Sequence, residues 1–276
     1  MRAAREGPIK FDELQLALQL RMGIVRISAS SRHEAMLGSA WRQDMRAVVA
    51  MAFVLVAVVG ASAQTGSFEG LMAAIQAGDV EAVRAHAAAG APLDRRYFVG
   101  YCPLHLAAST GNIAVAQALL DAGAKIDGQA KEGRLPLHVA ALSGQLGMIR
   151  FLVSHGAKVD GVGGYALVYR ASGVTPLMEA AIEGRVEAIG LLVAMGANVN
   201  AKDSNGDHAL NYAAYMGKKA ACAALIAAGS SLNENGLSGT AMDLALVHWK
   251  KDRELMELLE GAGCLTAAQL KASIVH

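Results

Sequence analysis

The chain has 276 residues, of which 54% are hydrophobic, and carries 25 basic and 24 acidic side chains for a formal net charge of +1. That balance excludes a surface that binds nucleic acid or an anionic membrane by charge alone. Three cysteines, Cys102, Cys222 and Cys264, are too few for a disulfide-stapled scaffold, and the apolar content exceeds that of an average soluble domain.

Part of the apolar excess lies in Ala47 to Gly60, AVVAMAFVLVAVVG, an unbroken run between Arg46 and Ala61-Ser62-Ala63. Small residues at 61 and 63 have the form of a signal-peptidase site, so the sequence predicts export with cleavage after Ala63. The run of 14 residues falls short of the roughly 20 that span a bilayer; a retained inner-membrane anchor over 47–63 is the alternative. Met45-Arg46 makes an ordinary basic start for such a signal. Residues 45–63 therefore read as the signal peptide, and 1–44, with one helix-like stretch from Phe11 to Arg21, as an over-extended N-terminus outside the mature protein. The remainder, 64–276, holds 17 basic and 19 acidic groups.

In that remainder one unit is copied. Pro103-Leu104-His105 with Ala107-Ala108 and Gly111 returns 33 residues later as Pro136-Leu137-His138 with Ala140-Ala141 and Gly144. Proline at a first helical position gives up no needed donor, so Pro103, Pro136 and Pro176 predict three helix starts. Alanine pairs let helices approach closely, and each Gly supplies a left-handed cap. Gln64 to Ser67 reads as a tether; the first copy has Leu71, Ala73, Ala74 and Gly78 in frame and a second helix from Val80 to Ala88. Cys102 and Leu135 stand where Thr175 and Thr240 offer a capping hydroxyl, which removes about 1 kcal/mol from each of those two helices. From Gly144 to Gly184 the frame lengthens to 40, placing seven extra residues within Gly161 to Ser172. A further copy at 208–229 is regular, and a last, starting at Thr240, has Trp249 at the Gly position and a charged second helix from Lys250 to Glu260. Residues 265–276 form a further short helix or a frayed tail.

The period, the Pro-Leu-His and the Gly-Ala before each turn resemble the ankyrin repeat, a β-turn followed by two antiparallel helices. The resemblance implies an all-α solenoid with short β-hairpin loops and about six repeats, at about 68–98, 99–131, 132–171, 172–204, 205–236 and 237–264, the outer ones degenerate caps. In that family the recurring histidine braces its own turn, and partners meet the hairpin tips and the exposed end of each first helix, a concave surface. Carried over by frame, the partner-binding residues are Phe98, Tyr101, Ser109 and Thr110, then Lys131, Glu132, Arg134 and Leu142. They continue as Tyr165, Tyr169, Arg170 and Glu183, and end with Asn205, Asp207, Tyr215 and Met216. Six of the ten aromatic residues after position 63, among them Tyr97, fall on this edge, and tyrosine gives much contact area for little entropy. Tyr97 and Tyr169 packing on a neighbouring hairpin is the competing reading.

Chemistry has no comparable signal. His105 and His138 recur without a Cys, Asp or Glu at ligand spacing, so no metal is expected. Gly161-Val162-Gly163-Gly164 lacks the Lys-Ser/Thr of a phosphate loop, and Gly236 to Gly239 fails as a nucleophile elbow. Cys222 sits at an apolar helix position and reads as a small buried hydrophobe; its pairing with Cys264 stays open, while Cys102 lies too far along the stack. The expected function is a non-enzymatic protein-protein binding scaffold outside the cytoplasm, with no cofactor, assisting or protecting a periplasmic partner. The alternatives are a secreted effector or toxin-neutralising protein and, less favoured, an enzyme with a site in the loop 161–172.

Overall fold

The computed structural model describes residues 65–97, 100–166, 171–249 and 252–274. Among them, helices come in pairs: α1 (Phe68–Ala77) with α2 (Val80–Ala88), α3 (Pro103–Thr110) with α4 (Ile113–Asp121), and α5 (Pro136–Ser143) with α6 (Leu146–Ser154). The series continues with α7 (Pro176–Glu183) and α8 (Val186–Ala194), α9 (Ala209–Tyr215) and α10 (Lys219–Ala227), and α11 (Ala241–Trp249) and α12 (Arg253–Ala262), before a single α13 (Ala267–Ile274). The expected signal peptide and the stretch before it lie outside the described residues, as do Phe98, Tyr169 and Arg170.

Local chemistry sets the helix ends. Pro103, Pro136 and Pro176 each occupy a first turn, and Gly111, Gly144 and Gly184 take left-handed φ of 74, 69 and 70° just past the same helices. Cys102 and Leu135 make no side-chain cap, whereas Thr175 accepts the Met178 amide at 3.4 Å and Thr240 that of Asp243 at 3.2 Å. Ser67 is no tether: its hydroxyl accepts the Gly70 amide at 3.0 Å and caps α1. The charged last helix begins at Arg253, not Lys250, because Asp252 caps it by accepting from Leu255 at 3.1 Å. The tail is the helix α13, whose first amide, Ala267, donates to Asp243 at 3.0 Å.

Odd-numbered helices α1 to α11 stack on one another as one layer, the inner one, and α2 to α12 as a second, outer one. The core repeats with the motif. Leu71, Leu104, Leu137, Leu177 and Leu210 are buried at equivalent places, and the pairs Ala107-Ala108, Ala140-Ala141, Ala180-Ala181 and Ala213-Ala214 are fully buried where inner helices meet. Cys222 and Cys264 are buried free thiols, and burial pushes Cys222 up to about 12.

The seven-residue insertion is accommodated without disturbing this core. Strand β1 (Tyr165–Ala166) pairs antiparallel with β2 (Ala171–Ser172), an extended hairpin where the inter-repeat turn belongs. Main-chain bonds run from hairpin to hairpin: Lys131 to Gly100 (2.8 Å), Ser204 to Ser172 (2.9 Å) and Leu237 to Asn205 (2.8 Å).

Candidate partner-binding face

Two sets of side chains clamp the second repeat to the third, the third to the fourth and the fifth to the sixth along the inner-helix face. At its start, His105 Nε2 reaches the Arg134 carbonyl at 2.8 Å, His138 Nε2 that of Val174 at 2.8 Å, and Asn211 Nδ2 that of Gly239 at 3.0 Å. The histidines therefore bind across repeats, and His138 also braces its own turn, where the Leu135 amide donates to its Nδ1 at 3.3 Å. Both are buried neutral, and burial brings each imidazole down to about 4. Met178 occupies the same position in the fourth repeat and has no N–H to donate.

At the other end of the inner helices a side chain from the next repeat reaches back: the residue after Gly144 and after Gly184, and Trp249, which stands at the glycine position itself. Gln145 Nε2 donates to Ser109 O at 3.3 Å, Arg185 Nε to Leu142 O at 3.1 Å, and Trp249 Nε1 to Tyr215 O at 2.7 Å. These donors satisfy carbonyls that the helix ends leave open. They also explain the glycine beneath: a Cβ on Gly111 would stand 2.4 Å from Gln145 Oε1.

On this frame the expected contact residues divide. Lys131 and Glu132 are exposed on a short 3-10 turn, and Thr110 is exposed with its hydroxyl turned to Leu106 O and Ala107 O, both at 3.2 Å. Ser109, Leu142, Glu183, Asn205, Tyr215 and Met216 are half-buried, with the Tyr215 ring edge-on to His248 at 4.4 Å. Tyr165 lies in β1 at the base of the long hairpin. Tyr101 is half-buried and stacks on His105 at 5.6 Å, beside Arg134.

Two of the residues carried over as partner contacts turn inward. Asp207 is 0% exposed, enclosed by the following hairpin. Arg134 is held at 2.8 Å from Glu179, a carboxylate that burial pushes up in pKa and the guanidinium pulls back. The ion pair joins the third repeat to the fourth across the insertion. Tyr97, half-buried, packs on Phe68 of the first repeat, ring centres 6.0 Å apart.

Exposed apolar groups appear where no contact was expected. Leu237 is 83% exposed on the last hairpin, and Val247 (73%) and Trp249 (39%) stand at the end of α11. Val247 lies in the row of Ser109, Leu142, Ile182 and Tyr215, so continuing the repeat frame into the last copy would have found it. Val162, at the root of the long hairpin, is 64% exposed. Among the described residues no three His, Cys, Asp or Glu side chains converge as a metal ion requires.

Residues 71–162 and 164–259 each match the family described as ankyrin repeats (3 copies). The chain belongs to the ankyrin repeat family. A crystal structure of the human ASB11 ankyrin repeat domain is similar in fold, with a TM-score of 0.58 and 25% identity over 71% of this chain and 84% of that one. No curated protein matches the sequence. Ankyrin repeats mediate protein-protein interaction and typically act as non-enzymatic scaffolds.

Proposed function

We propose that this ankyrin protein works outside the cytoplasm as a non-enzymatic scaffold, holding a partner protein on the inner-helix and hairpin face and assisting or protecting it in the periplasm. The observation that supports the binding role most is Val247, exposed in the row of Leu142 and Tyr215, with Leu237 exposed on the hairpin that leads into the same helix. Large apolar groups left in water on a rigid layer are what a partner buries. The location rests on the apolar run 47–60 followed by Ala61-Ser62-Ala63.

The test is a pull-down from the exported fraction with residues 64–276 as bait, wild type against Leu237→Asp/Val247→Asp. A partner retained by the wild type and lost by the folded variant is the expected result; equal retention sinks this choice of face. N-terminal sequencing of the natural protein is expected to start at Gln64, and a mature chain that keeps residues 47–63 would reject cleavage.

A further inference from the structure

The loop before α9 and the hairpin after α10 meet at a carboxylate that the binding face does not use. Asp207 is 0% exposed, and Ser238 Oγ donates to its Oδ2 at 2.7 Å. Its Oδ1 has no hydrogen-bond partner among the described residues and is pressed on by Gly236, where an added Cβ would come within 2.1 Å. A buried ionised carboxylate wants several donors, and this one has a single hydroxyl.

The surroundings sharpen the contrast. Asp203, four residues earlier, is satisfied: Oδ1 accepts the amides of Asn205 (2.8 Å) and Asp207 (3.0 Å), and Oδ2 the Tyr212 hydroxyl (2.5 Å). Nearby, Lys202 and Glu234 pair with each other and act in opposite senses on His208, whose pKa burial lowers; no ion pair among the described residues reaches Asp207. Burial pushes the Asp207 carboxyl up to about 6, with Ser238 pulling down and Asp203 pushing up.

We propose that Asp207 is a proton-operated latch for the hairpin 233–239: neutral, it seats the hairpin against the fifth repeat; ionised, it loosens it. The hairpin held this way carries Leu237, whose amide donates to Asn205 O at 2.8 Å beside the latch. Loss of the proton to water places a charge against Gly236 and next to Asp203, and the relief available is outward movement of the hairpin to admit water. The inference concerns the hairpin itself and holds whether or not a partner is found.

Amide NMR of the full protein between pH 5 and 7.5 tests it. The Leu237 and Ser238 resonances are expected to titrate with a midpoint near 6, with Leu237 exchange protection about tenfold higher at pH 5. In Asp207→Asn, which keeps His208 and Glu234, both effects vanish; in Ser238→Ala, which removes the donor to the ionised form, the midpoint rises. Wild-type amides that do not titrate in this range, a response that persists in Asp207→Asn, or a midpoint unmoved in Ser238→Ala would each overturn the latch.

Discussion

His138 Nδ1 accepts the Leu135 amide at 3.3 Å, so its Nε2 carries the proton and donates to the Val174 carbonyl, 36 residues ahead, at 2.8 Å. One imidazole thus caps its own helix, where no hydroxyl does so, and ties the third repeat to the fourth across the insertion. His138→Ala leaves the Leu135 amide without a partner, while Val174 O keeps the Gly163 amide at 3.0 Å. Urea unfolding is expected to show a loss of about 2 kcal/mol. A loss below about 0.5 kcal/mol would mean that the clamp contributes nothing net.

The same histidines set an acid limit. An imidazole that is about 4 in the folded chain and 6.5 in the unfolded one leaves the unfolded state with more bound protons between those values, so stability falls as pH drops from 6.5 to 4. By pH 5 the loss is about 2 kcal/mol for each of His105 and His138. Asp207 acts in the opposite sense, because the folded state holds its proton more tightly and an ionised Asp207 penalises the fold above about 6. Asp207→Asn is therefore expected to unfold at higher temperature than wild type at pH 7.5 and at nearly the same temperature at pH 4. Thermal melts across this range check both signs.

Arg134 and Glu179 form a second tie across the insertion, with side chains 21% and 4% exposed. Removing one partner strands a charge, so Glu179→Ala is expected to cost about 3 kcal/mol or more. Arg134→Met/Glu179→Leu removes both charges and should recover most of that loss. A double mutant no more stable than Glu179→Ala would show that packing, not charge, carries the site.

Much of the fold was legible from residue type and spacing. Pro103, Pro136 and Pro176 mark helix starts and Gly111, Gly144 and Gly184 mark ends because each meets a local backbone requirement that needs no knowledge of the tertiary fold. The face was legible only where a residue's surroundings come from its own repeat. Arg134 and Glu179 are 45 residues apart, and the insertion hides their register; Asp207 is enclosed by a hairpin about 30 residues later. Neither charge announces burial, since Asp and Arg are mostly exposed residue types. Ser67 reads as the end of a tether because, although the first repeat starts at about 68, the degraded first copy has no Pro at its helix start to mark the residue before it as a cap.

Trp249 closes the stack in place of a glycine, and its position can be read directly. Its indole N–H donates to Tyr215 O at 2.7 Å while its ring covers Gly217, which has φ of 64° and would hold a Cβ 2.5 Å from the ring. Gly217→Ala therefore combines left-handed strain of about 1 kcal/mol with displacement of the indole. In residues 64–276 Trp249 is the single tryptophan, so its emission reports the displacement without interference. The expected result is a red shift with loss of stability in Gly217→Ala, and a comparable shift without backbone strain in Tyr215→Pro is not to be expected, because proline there would break α9 itself. Trp249→Phe removes the indole donor together with part of the ring over Gly217, so a loss of about 1 kcal/mol or more is expected from the two contacts combined. An unchanged emission spectrum in Gly217→Ala would mean that the indole does not rest on the glycine and that the last repeat is held by α11 packing alone.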